Sequence, residues 1–278
     1  MTEAAAPGRL YLVSTPIGNM GDFSFRAVEV LRHVSAVLAE DTRHSRPLLE
    51  RYEVRVPLVP YHEHNEARSA PALVARLEAG ESLALISDAG TPLLSDPGQR
   101  LVRLAIESGV AVVPVPGASA LLAALVASGL DASRFTFFGF LPRKGRDRRD
   151  TVAALAALAH TAVLYEAPGR VADTLAELAD AGAGEREAVV ARELTKQFEE
   201  VRRGTVTALA AYYSESAPRG EVVIVVGGGA REAPDEAALR EQARALRAEG
   251  LAAREVSAAL VERFGAPRNL AYRLAHES

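Results

Sequence analysis

The chain has 278 residues and a formal net charge of −4, so any contact with RNA needs a local basic patch. Its length favours two domains, and a hydrophobic content of 49% suffices for a sizeable core. The absence of cysteine excludes disulfides, thiolate catalysis and zinc–sulfur sites. No apolar run is long enough to span a membrane, and the N-terminus lacks the pattern of a signal peptide. We therefore expect a soluble, cytoplasmic protein.

Apolar runs and helical patterns alternate along the first half of the chain. The predicted strands are 10–13, 36–39, 58–59, 83–86 and 110–113, and the predicted helices are 23–33, 47–52, 66–79, 100–108 and 119–128. Because the strands are continuously apolar and alternate with helices, this pattern predicts an α/β fold with a mainly parallel sheet that is covered on both faces.

A second set of strands begins after residue 134. The predicted strands are 135–138, 163–165, 188–191, 198–202 and 221–226. Between them lie a helix that the basic segment 143–149 opens and that runs to about residue 159, and helices over 171–180 and 206–213. We predict a tail over 1–8, an α/β domain over 9–130, a second α/β domain over 131–229 and a small helical segment over 235–278.

The segment 235–278 carries no strand pattern and contains many arginines. Gly250 and the run 265–267 break it into two or three short helices. Glutamates are interspersed with the arginines, so two interpretations stay open. The segment is either a solvated helical face or a small module of the helix–turn–helix type that binds RNA or a partner.

Polar loops rich in glycine and proline follow several of the predicted strands. The longest is 86–98, with the sequence ISDAGTPLLSDPG, and shorter ones read TPIGN, PGAS, GFLP, YEAP and ARELT. Open α/β sheets bind ligands in the crevice at the carboxyl ends of their strands, so these loops predict a shared binding site. Within the longest loop, we expect 88–92 to hold the ligand and 95–98 to cap the next helix.

These segments resemble the ribosomal small-subunit 2′-O-methyltransferases of the tetrapyrrole methylase superfamily. The resemblance covers about residues 9–227 and includes AEDTRH, HEHNE, ISDAGTPLLSDPG, GFLPRKGRDRR, YEAPGR and ARELTKQFEE. It implies two α/β domains with a cleft between them, S-adenosylmethionine as cofactor and a homodimer. It also implies methylation of a cytidine ribose 2′-oxygen in the decoding region of 16S rRNA, within the 30S subunit.

Carried over position by position, the resemblance implies a set of cofactor contacts on the strand-end loops and on the second domain's strands. These residues are Pro16, Asp88, Ala89, Gly90, Thr91, Pro92, Ser119, Ala120, Leu164, Tyr165, Ala191, Arg192, Val222 and Val223. Ser87 stands where the wider superfamily has glycine, which weakens a reading as a tetrapyrrole enzyme.

Methyl transfer to a hydroxyl requires alignment of the reacting atoms and is helped by a proton acceptor. We place Asp41, Arg43, Glu166 and Lys196 near the reacting ribose as candidate catalytic residues, without naming one as the base. Asp41 with Arg43 could equally be a structural ion pair that holds the second loop.

Two further groups of residues suggest contacts with RNA. His62 and His64 could share a face of a strand, but without cysteines or a carboxylate triad we expect them to line an RNA groove and expect no metal. The segment RKGRDRR has five cations in seven residues, which suits phosphate binding, although a solvated helix start is the alternative. The predicted RNA contacts are therefore His62, His64, Arg143, Lys144, Arg146, Arg148 and Arg149.

The leading hypothesis is an S-adenosylmethionine-dependent 2′-O-methyltransferase that acts on 16S rRNA. One alternative is a methylase of a small molecule such as a tetrapyrrole, although the basic segment argues against it. A second is an RNA-binding or ribosome-assembly factor without catalytic activity, which would not bind the cofactor.

Overall fold

The computed structural model describes residues 8–229 and 236–277, so residues 1–7 of the predicted tail over 1–8 lie outside the described part. A first sheet contains the strands β1 Arg9–Val13, β2 Ala36–Ala39, β3 Leu58–Pro60, β4 Leu83–Ile86 and β5 Ala111–Val115. Their order is β3-β2-β4-β1-β5, and every pair is parallel. The helices of this half are α1 Phe25–His33, α2 Thr42–Arg51, α3 Glu63–Glu78, α4 Gln99–Glu107 and α5 Ala120–Ser128. The prediction of a parallel sheet is confirmed for this half.

The alternation of side chains along the strands explains why both faces of this sheet are covered. On β4, Leu83 and Leu85 belong to one buried cluster, which includes residues of α3 and α4. Ala84 and Ile86 belong to a second cluster, which includes residues of α1 and α2. All four residues are almost fully buried, as expected for a strand with helices on both sides.

Helices α1 and α2 start at other residues than the sequence predicts, because local caps decide where they begin. Helix α2 begins at Thr42 rather than residue 47, since the Asp41 carboxylate accepts a hydrogen bond from Arg43 N and caps the helix. Helix α1 begins at Phe25 because Ser24, and not the polar cluster near Asp22, caps it.

The second sheet contains β6 Phe135–Phe140, β7 Thr161–Glu166, β8 Glu187–Arg192, β9 Glu200–Thr205 and β10 Val222–Val226. Its order is β6-β7-β10-β8-β9, and only β6 and β7 are parallel among these neighbours. The sequence left the strand directions of this half open. Strand β10 is buried along its whole length because it lies in the centre of the sheet, so its apolar run reports burial and not direction.

Helices cover both faces of the second sheet as well. The helices α6 Arg146–Ala156, α7 Val171–Leu178 and α8 Val206–Glu215 contribute to one buried cluster with β7, β8 and β10. The other face packs against α5, through Leu121, Ala124 and Leu125. Helix α5 precedes the predicted boundary at residue 130 yet packs on the second sheet, and we retain 9–130 and 131–229 as proposed domain bounds.

The chain divides into two compact units, Met1–Gly228 and Gly229–Ser278. Within the second unit the described residues form α9 Glu236–Ala248, α10 Ala253–Phe264 and α11 Arg268–Glu277. Leu246, Val256, Leu260 and Leu274 lie in their common core. Residues 235 and 278 of the predicted helical segment lie outside the described part.

Candidate functional site

A pocket of about 350 Å³ lies where the strand-end loops of the first sheet meet the second sheet. Its size falls in the range of small-molecule sites. Nine residues of the predicted cofactor set line it: Asp88, Ala89, Gly90, Thr91, Ala120, Tyr165, Ala191, Val222 and Val223. Further lining residues that the sequence did not single out are Ile17, Leu94, Asp96, Phe140, Ala167, Pro168, Leu194, Gly220 and Glu221.

Hydrogen bonds to the loop after β1 fix the backbone of the loop after β4. Thr15 N donates to Gly90 O at 2.8 Å, and Gly90 N donates to Thr15 O at 3.1 Å. Ser87 Oγ donates to Gly90 O at 2.7 Å, and Thr91 Oγ1 donates to Ala118 O at 3.2 Å. Gly90 has a φ of +84°, a conformation that side chains with a Cβ rarely adopt. The loop therefore presents a preformed backbone wall to the pocket.

Aromatic and aliphatic side chains form the opposite wall. The Tyr165 ring contacts Phe137 edge-on with centroids 4.9 Å apart, and its centroid lies 5.5 Å from that of Phe140. Burial raises the pKa of the Tyr165 hydroxyl, which therefore stays neutral near pH 7. Val222 and Val223 of β10 continue this surface. Such a wall suits a planar ring system of the ligand.

Asp96 occupies the pocket rather than capping the next helix. The capping position of α4 belongs to Gly98, and no side chain forms a hydrogen bond there. Burial raises the pKa of the Asp96 carboxyl to about 7, and the negative charges of Glu40 and Asp88 contribute to the rise. Of the segment 95–98 assigned to helix capping, Gly98 occupies the capping position, whereas Asp96 is a titratable group at the site.

The remaining predicted cofactor residues do not line the pocket. They are Pro16, Pro92, Ser119, Leu164 and Arg192. Leu164 is fully buried in the core on the far face of the second sheet. Arg192 Nε donates to Glu200 Oε2 at 2.7 Å, which ties it to strand β9. Ser119 is the capping residue of α5, and its buried Oγ has no hydrogen-bond partner.

The candidate catalytic residues are each engaged by other protein groups. Arg43 binds the Asp41 carboxylate through two nitrogens, at 3.1 and 2.8 Å, and this contact lowers the pKa of Asp41 to about 2. Lys196 Nζ donates to Glu193 Oε1 at 2.9 Å and to Glu221 Oε2 at 2.8 Å. Asp41 and Arg43 thus form an ion pair at the start of α2, and a catalytic role for either stays a prediction.

Glu166, the fourth candidate, has a fully buried carboxylate. It forms a salt bridge of 2.5 Å with Arg170 and accepts hydrogen bonds from Thr174 Oγ1 and Ala167 N, both at 2.7 Å. Glu166 lines the pocket, but its oxygens are occupied by these partners and fix the turn after β7.

The predicted RNA-contact residues separate into exposed and buried members. Arg143, Lys144, Arg146 and Arg149 are exposed, and Arg146 pairs with Asp150 at 3.3 Å on the surface. Arg148 is buried and points inward, where it binds Glu177, Thr174 and Pro142 O. We therefore remove Arg148 from the RNA-contact set.

His62 and His64 do not share a strand, because His62 caps α3 and His64 lies in its first turn. Their ring centroids are 5.9 Å apart. Among the described residues, no group of three or more His, Asp or Glu is arranged to hold a metal ion. Whether the two rings contact RNA stays a prediction.

The sequence of the chain matches one protein family over most of this unit. The family, described as Tetrapyrrole (Corrin/Porphyrin) Methylases, matches residues 9–210. The chain belongs to the tetrapyrrole methylase family. The resemblance drawn from the loop motifs is thereby confirmed, and so is the fold class.

Similar proteins with assigned names cover nearly the whole of this methylase. A Ribosomal RNA small subunit methyltransferase I of Synechocystis is 45% identical over 273 residues, which are 97% of this chain and 98% of that protein. A protein of the same name from Xylella fastidiosa is 48% identical and covers 96% and 99% of the two chains. One from Mesorhizobium japonicum is 49% identical and covers 90% and 85%.

Solved structures share the fold of this methylase at low sequence identity. A diphthine synthase has a TM-score of 0.63 and 17% identity, over 80% of this chain and 90% of that chain. A uroporphyrin-III C-methyltransferase from Thermus thermophilus, complexed with S-adenosyl homocysteine, has a TM-score of 0.57 and 21% identity, over 79% and 97%. No helix in the described part of the methylase is both long and apolar enough to cross a bilayer.

Proposed function

We propose that this protein transfers a methyl group from S-adenosylmethionine to the ribose 2′-hydroxyl of a cytidine in the decoding region of 16S rRNA. The observation that carries the proposal is the identity of 45% and 48% with two proteins named Ribosomal RNA small subunit methyltransferase I, over nearly their full lengths. Family membership and the pocket between the two sheets support the same activity.

The chemistry of the pocket fits S-adenosylmethionine. The cofactor combines a planar adenine, a ribose and a cationic sulfonium with an amino-acid end. The apolar wall with Tyr165, Val222 and Val223 suits the adenine, and the carboxylate of Asp88 suits a hydroxyl or ammonium donor. The fixed backbone at Ala89 and Gly90 offers further hydrogen-bonding groups, so we assign these residues to cofactor binding.

The protein's own task in the reaction is to orient the reacting groups. When bound, S-adenosylmethionine supplies an electrophilic methyl group on a sulfonium. The loop held by Thr15 and Ser87 is fixed before binding, so little conformational entropy is lost when the ligand is oriented. Phe140 and Tyr165 line the other side of the pocket.

The RNA would enter beside the exposed basic segment. Arg143, Lys144 and Arg149 follow Phe140, whose side chain is 55% exposed at the edge of the pocket. Exposed cations contact phosphates, while an exposed ring can stack on an unpaired base. The assembled 30S subunit is the substrate we propose, with the cytoplasm as the location of the protein.

A homodimer is the proposed oligomeric state. Leu122 and Val126 lie one helical turn apart on α5 and are 51% and 75% exposed, which leaves an apolar stripe on the surface of this unit. Sedimentation equilibrium should give about twice 29.5 kDa for the native protein. A Leu122→Glu/Val126→Glu variant should sediment as a monomer, and a monomeric native protein would contradict the assignment.

Labelled S-adenosylmethionine and 30S subunits that lack the modification provide the test of function. We expect label in 16S rRNA, and mass spectrometry of its nucleosides should find 2′-O-methylcytidine. Subunits that already carry the modification are the matched control and should accept no label. Cofactor binding without RNA labelling would redirect the proposal to a small-molecule methylase, and no cofactor binding would favour a non-catalytic factor.

A further inference from the structure

The proposed reaction releases a proton that none of the predicted catalytic residues is free to take. Asp41 is held by Arg43, Glu166 by Arg170 and Thr174, and Lys196 is a cation with two carboxylate partners. A carboxylate locked in an ion pair is a poor base because the pairing favours its charged form. The acceptor must therefore be another group at the pocket.

Asp96 is a carboxyl group of the pocket for which the described part of the chain shows no ion pair. It lies in the same loop as Asp88 and Thr91, opposite the wall that holds Tyr165. Ser87 contacts Asp96 and donates its one hydroxyl proton to Gly90 O at 2.7 Å. The contact with Ser87 lowers the pKa of Asp96 and so partly offsets the effect of burial.

We propose that Asp96 is the general base that accepts the proton of the ribose 2′-hydroxyl during methyl transfer. The step balances: the hydroxyl oxygen bonds to the methyl carbon, the electron pair of the broken carbon–sulfur bond stays on sulfur, and the hydroxyl proton passes to Asp96 Oδ. This inference rests on the proposed function and names the residue that it leaves unassigned.

The surroundings of Asp96 raise its pKa toward a value that suits a general base. Glu40 and Asp88 face it from the ends of β2 and β4, and Tyr165 faces it from β7. Burial is the main cause of its raised pKa, and the two carboxylates add to it. A base with a pKa near 7 is about half ionised near neutral pH and still binds the transferred proton. Since Asp96 is only partly buried, the proton can return to water afterwards.

The first experiment compares methyl transfer to unmodified 30S subunits by the native protein, Asp96→Asn, Asp96→Glu and the control Asp180→Asn. Asp180 is exposed and lies outside the pocket. We expect Asp96→Asn to lower kcat by about 10²–10⁴-fold with KM for the subunit nearly unchanged. Asp96→Glu should restore part of the rate, and Asp180→Asn should match the native protein.

The pH profile tests the same assignment. For the native protein, the logarithm of kcat/KM should rise with unit slope at low pH and level off above a pKa near 7, because only the ionised form of Asp96 accepts a proton. The residual rate of Asp96→Asn should not show this rise. If the variant kept the native profile, another group would be the base.

The second experiment does not depend on activity. Carbon-13 NMR of the native protein labelled at aspartate carboxyls should show one resonance that titrates near pH 7 and is missing in Asp96→Asn. Calorimetry with S-adenosylhomocysteine should give similar affinities for the two proteins. A Kd raised tenfold or more in Asp96→Asn would make Asp96 a cofactor ligand and overturn the proposal.

The outcomes separate this inference from the proposed function. An active native protein with an Asp96→Asn kcat within threefold of native would overturn the role of Asp96 alone. A native protein that binds S-adenosylhomocysteine but leaves 16S rRNA ribose unlabelled would instead refute the proposed function, and the inference with it.

Discussion

Arg148 Nε lies 2.8 Å from Glu177 Oε2, and the arginine side chain is only 8% exposed. Arg148 also donates to Thr174 Oγ1 at 2.9 Å, and Thr174 in turn donates to Glu166 at 2.7 Å. A cation in the middle of the predicted RNA-binding segment thus belongs to a buried network that joins α6 to α7. Within the seven-residue basic segment 143–149, the buried Arg148 thus contributes to stability, whereas the exposed cations are available to bind RNA.

Replacement of Arg148 should lower stability. Arg148→Ala leaves Glu177 without its partner and deprives Thr174 of a donor, so we expect a loss of about 2–4 kcal/mol in the free energy of unfolding. Arg149→Ala is the matched control on the exposed face and should change it by less than about 0.5 kcal/mol. Urea unfolding measures both, and equal losses would disprove the division.

The exposed cations should govern RNA affinity instead. An Arg143→Ala/Lys144→Ala/Arg149→Ala variant removes three phosphate contacts, so the slope of log K against log salt should fall by about 2. Filter binding with a 16S rRNA fragment at several salt concentrations measures the slope. Affinity for S-adenosylhomocysteine should stay native. An unchanged slope would remove the basic segment from the RNA-binding surface.

Glu166 should behave as a structural residue. Its buried carboxylate pairs with Arg170, so Glu166→Ala should cost about 3–5 kcal/mol of stability, and Glu166→Gln less because the amide still accepts hydrogen bonds. Thermal unfolding checks both variants. A native melting temperature for Glu166→Gln together with a large fall in kcat would restore Glu166 to the catalytic candidates.

The sequence predicted the strands better than their pairing. Each predicted strand overlaps an observed one, because apolar runs such as Leu83–Ile86 report burial directly. Burial does not report direction, and β10 inserts between β7 and β8 through contacts far apart in sequence. For the same reason nothing local indicated that α5 packs on the second sheet.

At the site, short motifs located the loops but not the direction of their side chains. Asp88 and Asp96 are acidic residues of the same loop. Only the folded structure shows that Asp96 also faces the pocket, close to Glu40 and Tyr165. Arg148 and Arg149 are adjacent cations with opposite surroundings. Helical periodicity from Val152 back to Arg148 was the available signal, since both lie on the buried face of α6.

Lys196 should stabilise the loop after β8. Lys196→Met keeps the stem that lies against Gly18 but leaves the Glu193 carboxylate unpaired, so we expect a loss of about 1–2 kcal/mol at pH 7. The hydrogen bond from Lys196 lowers the pKa of Glu193, so this stabilisation exists above pH 4.5 and is lost as the pH falls through the lowered value. In urea unfolding, the stability difference between Lys196→Met and the native protein should be smaller at pH 4 than at pH 7. A difference that persists at low pH would contradict the ion-pair account.

Asp96→Asn should stabilise the protein, in a manner that depends on pH. The folded-state pKa of about 7 lies above the ordinary value of 3.8, so folding binds a proton and the ionised carboxylate opposes folding. The penalty is absent below about pH 4, grows between pH 4 and 7 and is complete above it. Because the side chain is partly exposed, solvent screening reduces the gain expected at pH 8 to about 1–2 kcal/mol.

Urea unfolding of Asp96→Asn and Asp180→Asn from pH 4 to pH 8 measures this gain in stability. Only Asp96→Asn should gain stability relative to the native protein as the pH rises. A gain that does not vary with pH would contradict this account, because it would show that ionisation of Asp96 does not destabilise the folded protein. The expected gain would instead mean that the site keeps a destabilising charge that its chemistry needs.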